Sequence, residues 1–231
     1  IFEKELNKLS NKIVKKNEFK QGEKPVILFG SVTDPYQGVE VKYKLTRRCL
    51  EIVANSDIKE EIKISLLTKS PLVTRDIDIF KQIPNLEVGM TITSTDDEVS
   101  RMFESSAPSS SLRIKALEKL NEEGISTYAF VGPLLPHFVA NKESLDKLFR
   151  SIKKSGTERV WVEHINLKGK KMQRLMKLVG DKLSKEEYKL FVDSQSEEYK
   201  NRLSEVVLKL IEKYELQLVG DRVVDHNKIS T

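Results

Sequence analysis

Residues 25–38 read PVILFGSVTDPYQG. A short apolar run, Val26 to Phe29, breaks at once into Gly, Ser, Thr, Asp, Pro and Gly, and a helical-looking stretch, VEVKYKLTRRCLEIVANS, follows at 39–56. Apolar run, polar turn and amphipathic helix in that order make one β-α unit. The pattern then recurs. IKISLLTKS (62–70) reads as a strand and RDIDIFKQIP (75–84) as a short helix. LEVGMTITS (86–94) is the next strand, followed by helical DEVSRMF and SLRIKALEKLNEEG. STYAFVGPLLP (126–136), helical NKESLDKLFRSIKKSG and the strand RVWVEHINL (159–167) complete the series. Four β-α repeats closed by a fifth strand imply right-handed crossovers and a mostly parallel sheet with helices outside it.

The strands are largely continuous in their apolar content rather than alternating, which predicts burial on both faces, as in a barrel or a doubly wound sheet. Gly124 in NEEGIS and Gly156 in KKSGTE each stand just past a helix, where a left-handed residue ends it. From Lys168 the rhythm changes to helices only: KGKKMQRLMKLVGDKL, then SKEEYKLFVDSQSEEYKNRLSEVVLKLIEKY. LQLVG, within 216–231, reads as a short strand before a polar end. The expectation is a barrel-like α/β body over residues 1–167 and a helical C-terminal extension over 168–231.

Composition narrows the class. With 231 residues, 39% hydrophobic and 32% charged, the chain is ordinary for a globular protein, and no window approaches the ~20 apolar residues that span a bilayer. Ile1 opens into the charged segment IFEKELNKLSNKIVKK, without the pattern of a signal or transit peptide. Forty basic against thirty-five acidic residues leave a net charge of +5, which tolerates an anionic partner without requiring one. The one cysteine, Cys49, excludes an internal disulfide and fits a reducing cytoplasm. Helical spacing sets it beside Leu45 and Val53 on an apolar face, as a core thiol.

In parallel α/β sheets ligands bind outside the carboxyl ends of the strands. Those ends offer Gly30, Ser31, Thr33 and Asp34; then Thr68, Lys69 and Ser70; then Thr91, Thr93, Ser94 and Thr95. The last two offer Gly132, Pro133 and His137, and Glu163, His164 and Asn166. For any one strand end, the hydroxyls serve equally well as helix caps, with Lys69 solvated. Five such ends together suit a zwitterionic or phosphate-bearing ligand: Lys69 supplies a cation, the hydroxyls donate and accept, and the glycines permit close approach. His137, His164 and His226 show no metal-ligand spacing, and no CxxC, HExxH, GxSxG or GxGxxG occurs.

Read together, FGSVTDPYQGVEVKYKLTRRCLEI, ISLLTKSPLVTRDIDIF, VGMTITSTDDEVSRMFESSAPSSSLRIKALEKLNEEGISTYAFVGPLLP and VWVEHINLKG resemble the radical S-adenosylmethionine (radical SAM) proteins of the spore photoproduct lyase-like group. The resemblance covers about Val26 to Leu167 and rests on TDPYQ, LLTKS, TITSTDD and the FESSAPS block, which occur in family order. It implies a partial (β/α) barrel with parallel strands, holding a [4Fe-4S] cluster whose open iron binds S-adenosylmethionine. It also implies an electron donor of the flavodoxin or ferredoxin class, and reductive cleavage to a 5′-deoxyadenosyl radical.

By that resemblance Gly30, Ser31, Thr33 and Asp34 face the methionine moiety, with Thr33 the closest contact. Lys69 and Ser70 take the carboxylate or ribose, Thr91 or Thr93 the ribose hydroxyls, and Gly132 and Pro133 the adenine. Arg113 and Glu104 are either ligand contacts or a local ion pair that fixes their loop. The family holds its cluster on a CxxxCxxC loop, whereas this sequence contains only Cys49. Two alternatives follow: the cysteine loop lies outside these residues, or the chain is a cluster-free barrel that binds a nucleotide or nucleic acid without radical chemistry. A third reading is a scaffold that recruits partners through its C-terminal helices.

Ser31 stands about where the DNA-repairing lyases place a hydrogen-donating cysteine, and a hydroxyl is a poorer donor, which counts against thymine-dimer reversal. LKGKKMQRLMKLVGDK could follow a phosphate backbone, or it is an amphipathic helix packing Leu167, Met172, Leu175, Met176 and Val179 on the barrel. Tyr36 and Tyr43 are either pocket residues or packing. Any duplex binding is expected to be weak and strongly salt-dependent.

Overall fold

The computed structural model describes residues 1–14, 24–136 and 141–225. Among them the parallel strands β1 (Val26–Phe29), β2 (Lys63–Thr68), β3 (Leu86–Thr91), β4 (Ser126–Leu134), β5 (Arg159–His164) and β6 (Gln217–Leu218) form one sheet in chain order. Sequential order with helical crossovers is the winding of a partial (β/α) barrel, as expected, and excludes the doubly wound alternative, whose order reverses at a switch point.

In-register pairing sorts the side chains into two faces. Ile64, Leu66, Val88, Met90, Ala129, Val131, Val160 and Val162 share one face, each with no exposed surface. They join one core with the helices α3 (Leu45–Ala54), α6 (Ser110–Glu122), α7 (Lys142–Lys154) and α10 (Glu197–Lys213). Burying each of these aliphatic groups contributes roughly 1.5–3 kcal/mol, and this face holds the sheet against its helices.

The opposite face departs from the expectation of apolar strands throughout. Its base carries Lys63, Ser65, Glu87, Tyr128 and Arg159, because continuous apolar runs in the sequence hide a polar residue at alternate positions. Glu87 accepts from Ser65 Oγ at 3.0 Å and pairs with Lys63 Nζ at 3.0 Å and with Arg159. Burial works against its charge, but Arg159 and Lys63 outweigh burial and hold the carboxyl below the usual range. Gly89 leaves room above this layer: a Cβ there would sit 2.2 Å from Tyr128 Cζ.

Local chemistry explains most element boundaries. Asp96 caps α5 (Asp97–Phe103) by accepting from two backbone N–H groups, Asn141 caps α7, and Ser184 with Glu187 forms a capping box on α9 (Lys185–Asp193). Gly124 and Gly156 have φ of 74° and 84°, the left-handed ends anticipated for α6 and α7. The single helix expected at 39–56 is instead two, α2 (Glu40–Tyr43) and α3, because Lys44 adopts a left-handed conformation with φ 49°. After β5, helices α8 (Lys170–Val179), α9 and α10 lead back into the sheet through β6, so the helical segment returns to the barrel body. N-terminal α1 (Phe2–Val14) packs Leu6 into the core and sets Phe2 5.8 Å from Phe29.

Among the described residues no helix is long and apolar enough to cross a membrane. Cys49 is half-buried on α3, and its expected neighbour Leu45 is 56% exposed, so only the Val53 side of that face is core. Burial raises the thiol pKa.

Candidate functional site

The carboxyl ends of β2 to β5 and the turn after β1 open onto one cleft of about 1330 Å³. Asp34, Lys69, Ser70, Thr93 and Pro133 border it, together with Glu163 and Asn166 of the fifth strand end. Two further elements complete the walls. The loop from Phe103 to Pro108 forms one side, and α8 brings Lys171, Arg174, Leu175 and Leu178 to the other. The basic segment after β5 has the amphipathic packing of its second reading, with Leu167 and Val179 buried and Met172, Leu175 and Met176 against the core, while Lys171 and Arg174 border the cleft.

The remaining expected contacts lie elsewhere. Ser31 and Thr33 are exposed on the turn and do not border the cleft. Thr91 is buried, and its carbonyl accepts from Arg113 Nη1 at 3.1 Å. Gly132 is buried inside β4, where a Cβ would come within 2.9 Å of Glu163 Cβ. Gly30, with φ of 104°, brings the backbone against β2: a Cβ would lie 2.2 Å from the Leu67 carbonyl oxygen. His164 is buried facing Ser204 Oγ at 3.0 Å rather than the cleft. His137 and His226 lie outside the described residues.

Asp34 explains much of the long polar turn. Its Oδ1 accepts from Tyr36 N at 2.8 Å and Thr68 Oγ1 at 2.6 Å, and its Oδ2 from Lys69 N at 2.7 Å. One carboxylate thereby ties the end of β1 to the end of β2 and sets the backbone of Lys69.

Behind the turn is a buried ionic network that the linear sequence did not signal. Tyr36, 1% exposed, donates to Asp76 Oδ2 at 3.0 Å, and Arg75 and Arg47 reach Asp76 Oδ1 at 2.8 and 3.0 Å. Arg75 also reaches Glu40 Oε1 at 3.1 Å. Burial opposes the Asp76 charge, but Arg75, Arg47 and Tyr36 together hold its carboxyl below the usual range. Burial, then Asp76, push the Tyr36 phenol pKa up. Tyr36 thus both borders the cleft and supports its edge, whereas Tyr43 is exposed and does not border it.

The loop wall is held by a second ionic group. Glu104 Oε1 lies 2.7 Å from Lys69 Nζ, and its Oε2 lies 2.6 Å from Arg113 Nη1 and 3.4 Å from Thr93 Oγ1. Arg113 is fully buried and also donates through Nε to the Pro108 carbonyl at 2.8 Å. Of the two sequence-based alternatives for Glu104 and Arg113, the geometry is that of the local ion pair. Burial would push the Glu104 carboxyl up, but Arg113 and Lys69 outweigh it and hold it below the usual range. The Lys69 side chain remains 38% exposed, so its ammonium has donors left for a ligand.

A zwitterion with a hydroxylated, planar appendage suits this donor set: a half-exposed cation, hydroxyls of Ser70 and Thr93, and the proline edge of β4. S-adenosylmethionine is such a molecule, and the cleft fits it. A [4Fe-4S] cluster does not fit these residues, because thiolates hold it and this chain offers Cys49 alone. Among the described residues no three His, Cys, Asp or Glu side chains are grouped to hold a metal ion.

Comparison with known proteins bears on the family and the fold. An uncharacterized protein of Methanocaldococcus jannaschii is 40% identical over 113 residues, 49% of this chain and 42% of that protein. One of Mycobacterium tuberculosis is 29% identical over 62% of this chain and 42% of its own length. The chain thus spans less than half the length of these relatives. A protein of Acidianus two-tailed virus is 23% identical over 88% of this chain and 64% of its own length. The fold matches that of a cysteine-to-serine mutant of spore photoproduct lyase with a TM-score of 0.71 at 13% identity, covering 94% of this chain and 65% of that one. Another mutant of that lyase, solved with AdoMet and a dinucleoside spore photoproduct bound, matches with a TM-score of 0.69, at 13% identity, over 90% of this chain and 63% of that one. The model of the radical SAM superfamily matches residues 8–152, more than half of the sequence, and the chain belongs to that superfamily.

Proposed function

We propose that this cleft binds S-adenosylmethionine for a radical enzyme of the photolyase-like group. The observation that carries the reading is Lys69: a partly exposed lysine side chain at the mouth of a parallel barrel, fixed through its backbone by Asp34 and through its ammonium by Glu104. Lys69 takes the ligand's carboxylate, Ser70 and Thr93 its hydroxyls, and Pro133 the edge of the adenine. Gly30, Asp34, Thr91 and Gly132 act behind these contacts, shaping the strand ends, and Ser31 and Thr33 remain on the exposed turn for the ligand's amino end or for substrate. The radical chemistry of the superfamily would need a [4Fe-4S] cluster to deliver an electron to bound S-adenosylmethionine, and thiolates outside these residues would have to hold it. The cluster's thiolates are not among these residues, whose own roles are to bind the ligand and orient it.

The partners this reading implies are an electron donor of the flavodoxin or ferredoxin class and a nucleic-acid or related substrate. The second is supported by the dinucleoside bound in the lyase neighbour and by Lys171 and Arg174 on the cleft wall. The cluster-free module that binds a nucleotide or nucleic acid is the other reading. The first reading requires the S-adenosylmethionine site, so the test is titration of the 231-residue chain with S-adenosylmethionine by calorimetry. Saturable binding that weakens roughly 10-fold or more in Lys69→Ala is expected, the effect of one lost charge-assisted contact. A folded chain, verified by circular dichroism, that shows no saturable binding would remove the site.

A further inference from the structure

We infer that Arg113 is a positioning residue that sets the ligand preference of the cleft without touching the ligand. The inference rests on the proposed S-adenosylmethionine site and deepens it. Lys69 alone cannot select a carboxylate, because Glu104 is already 2.7 Å from its ammonium and a lone Lys-Glu pair is neutral. Arg113 alters that balance. Its guanidinium, with no exposed surface, shares the same carboxylate at 2.6 Å, so Lys69, Glu104 and Arg113 together carry one net positive charge. The guanidinium contributes its positive charge in a planar, delocalised form. It cannot leave to meet the ligand, since Nε and Nη1 are anchored on the Pro108 and Thr91 carbonyls at 2.8 and 3.1 Å. Lys69 and Glu104 both border the cleft and Arg113 does not, so the surplus is expressed there at the cation of the exposed pair, Lys69, whose side chain is 38% exposed.

The same bonds tie the Phe103–Pro108 wall to the end of β3, so a merely structural role for Arg113 must be separable from the electrostatic one. Two probes separate them. S-adenosylhomocysteine carries the amino-acid carboxylate, and 5′-methylthioadenosine lacks it while keeping the adenosine. Affinities for both are measured on the full chain as wild type, Arg113→Met, Arg113→Lys and the double variant Glu104→Gln/Arg113→Met. Arg113→Met leaves a neutral Lys-Glu pair, and its preference for S-adenosylhomocysteine over 5′-methylthioadenosine is expected to fall roughly 10-fold. Arg113→Lys keeps the charge but loses the anchored fork, and the double variant leaves Lys69 as the lone charge; both retain the preference.

A preference that survives in Arg113→Met, or parallel loss of both ligands in Arg113→Met and Arg113→Lys, overturns the inference. Should Arg113→Met fail to fold, the other two variants carry the test, and loss of the preference in either overturns it. Wild type that binds neither probe removes the underlying site instead, which distinguishes the two failures.

Discussion

Asp34 offers the sharpest test of how the cleft is built. Replacing it with alanine removes the acceptor of two backbone N–H groups and one hydroxyl, at 2.8, 2.7 and 2.6 Å. A hydrogen bond to a charged acceptor contributes about 1.5–3 kcal/mol, which would total several kcal/mol if all three groups stayed dry. Asp34 is only half-buried, so water reaches part of the vacated space, and Thr68 Oγ1 keeps its bond from Ser70 N at 3.0 Å. The expected loss is therefore ~3 kcal/mol, a large share of the ~5–15 kcal/mol that typically stabilises a domain. In a chain of 231 residues this corresponds to a fall in Tm of about 6–12 °C. Asp34→Asn keeps the Oδ1 contacts but turns an amide N–H₂ toward the Lys69 N–H, and its loss is expected at about 1–2 kcal/mol. Urea unfolding of ligand-free protein, followed by circular dichroism, measures both. If Asp34→Ala unfolds within about 0.5 kcal/mol of wild type, the range of an ordinary surface change, the carboxylate is no tether and the account of the polar turn is wrong.

Two further outcomes follow from other layers of the barrel. Gly30→Ala forces a side chain into a left-handed conformation at φ 104°, against the Leu67 carbonyl, and is expected to cost at least ~2 kcal/mol; a variant as stable as wild type would show that β1 and β2 do not approach so closely. Glu87 is held ionised below its ordinary value of 4.5, so its contribution is complete above that pH and is lost as pH falls further. The stability gap between wild type and Glu87→Gln should therefore be widest near neutral pH, at roughly 3 kcal/mol, and narrow as the pH is taken well below the ordinary carboxylate range; a gap that stays constant across a urea-unfolding series would refute the buried pairing.

What was legible in the sequence was local. The β-α alternation, the left-handed ends at Gly124 and Gly156, and the concentration of hydroxyls and Lys69 at strand ends all depend on residues within one turn or strand of each other. Periodicity and turn chemistry act over that range, so a mostly parallel α/β sheet could be read before any coordinates, while the strand order that makes it a barrel came with the structure. Family resemblance added S-adenosylmethionine, which composition alone could not name.

What only the tertiary structure decided was pairing between residues distant in the chain. Asp34 meets Thr68 and Lys69 more than thirty positions on, and Glu87 meets Arg159 seventy-two positions on. Arg113 shares Glu104 with Lys69 only because the loop after α5 folds back over the end of β2. A carboxylate beside a strand reads in sequence as a ligand contact or as a cap. Strand register and crossover handedness settle which partner it meets, and they turned several expected contacts into the frame of the cleft. Chemical type and short-range spacing sufficed for the elements and the end of the barrel where a site would form. The charge balance at that site depended on packing, because a buried ion is stable only where its counter-charges arrive with it.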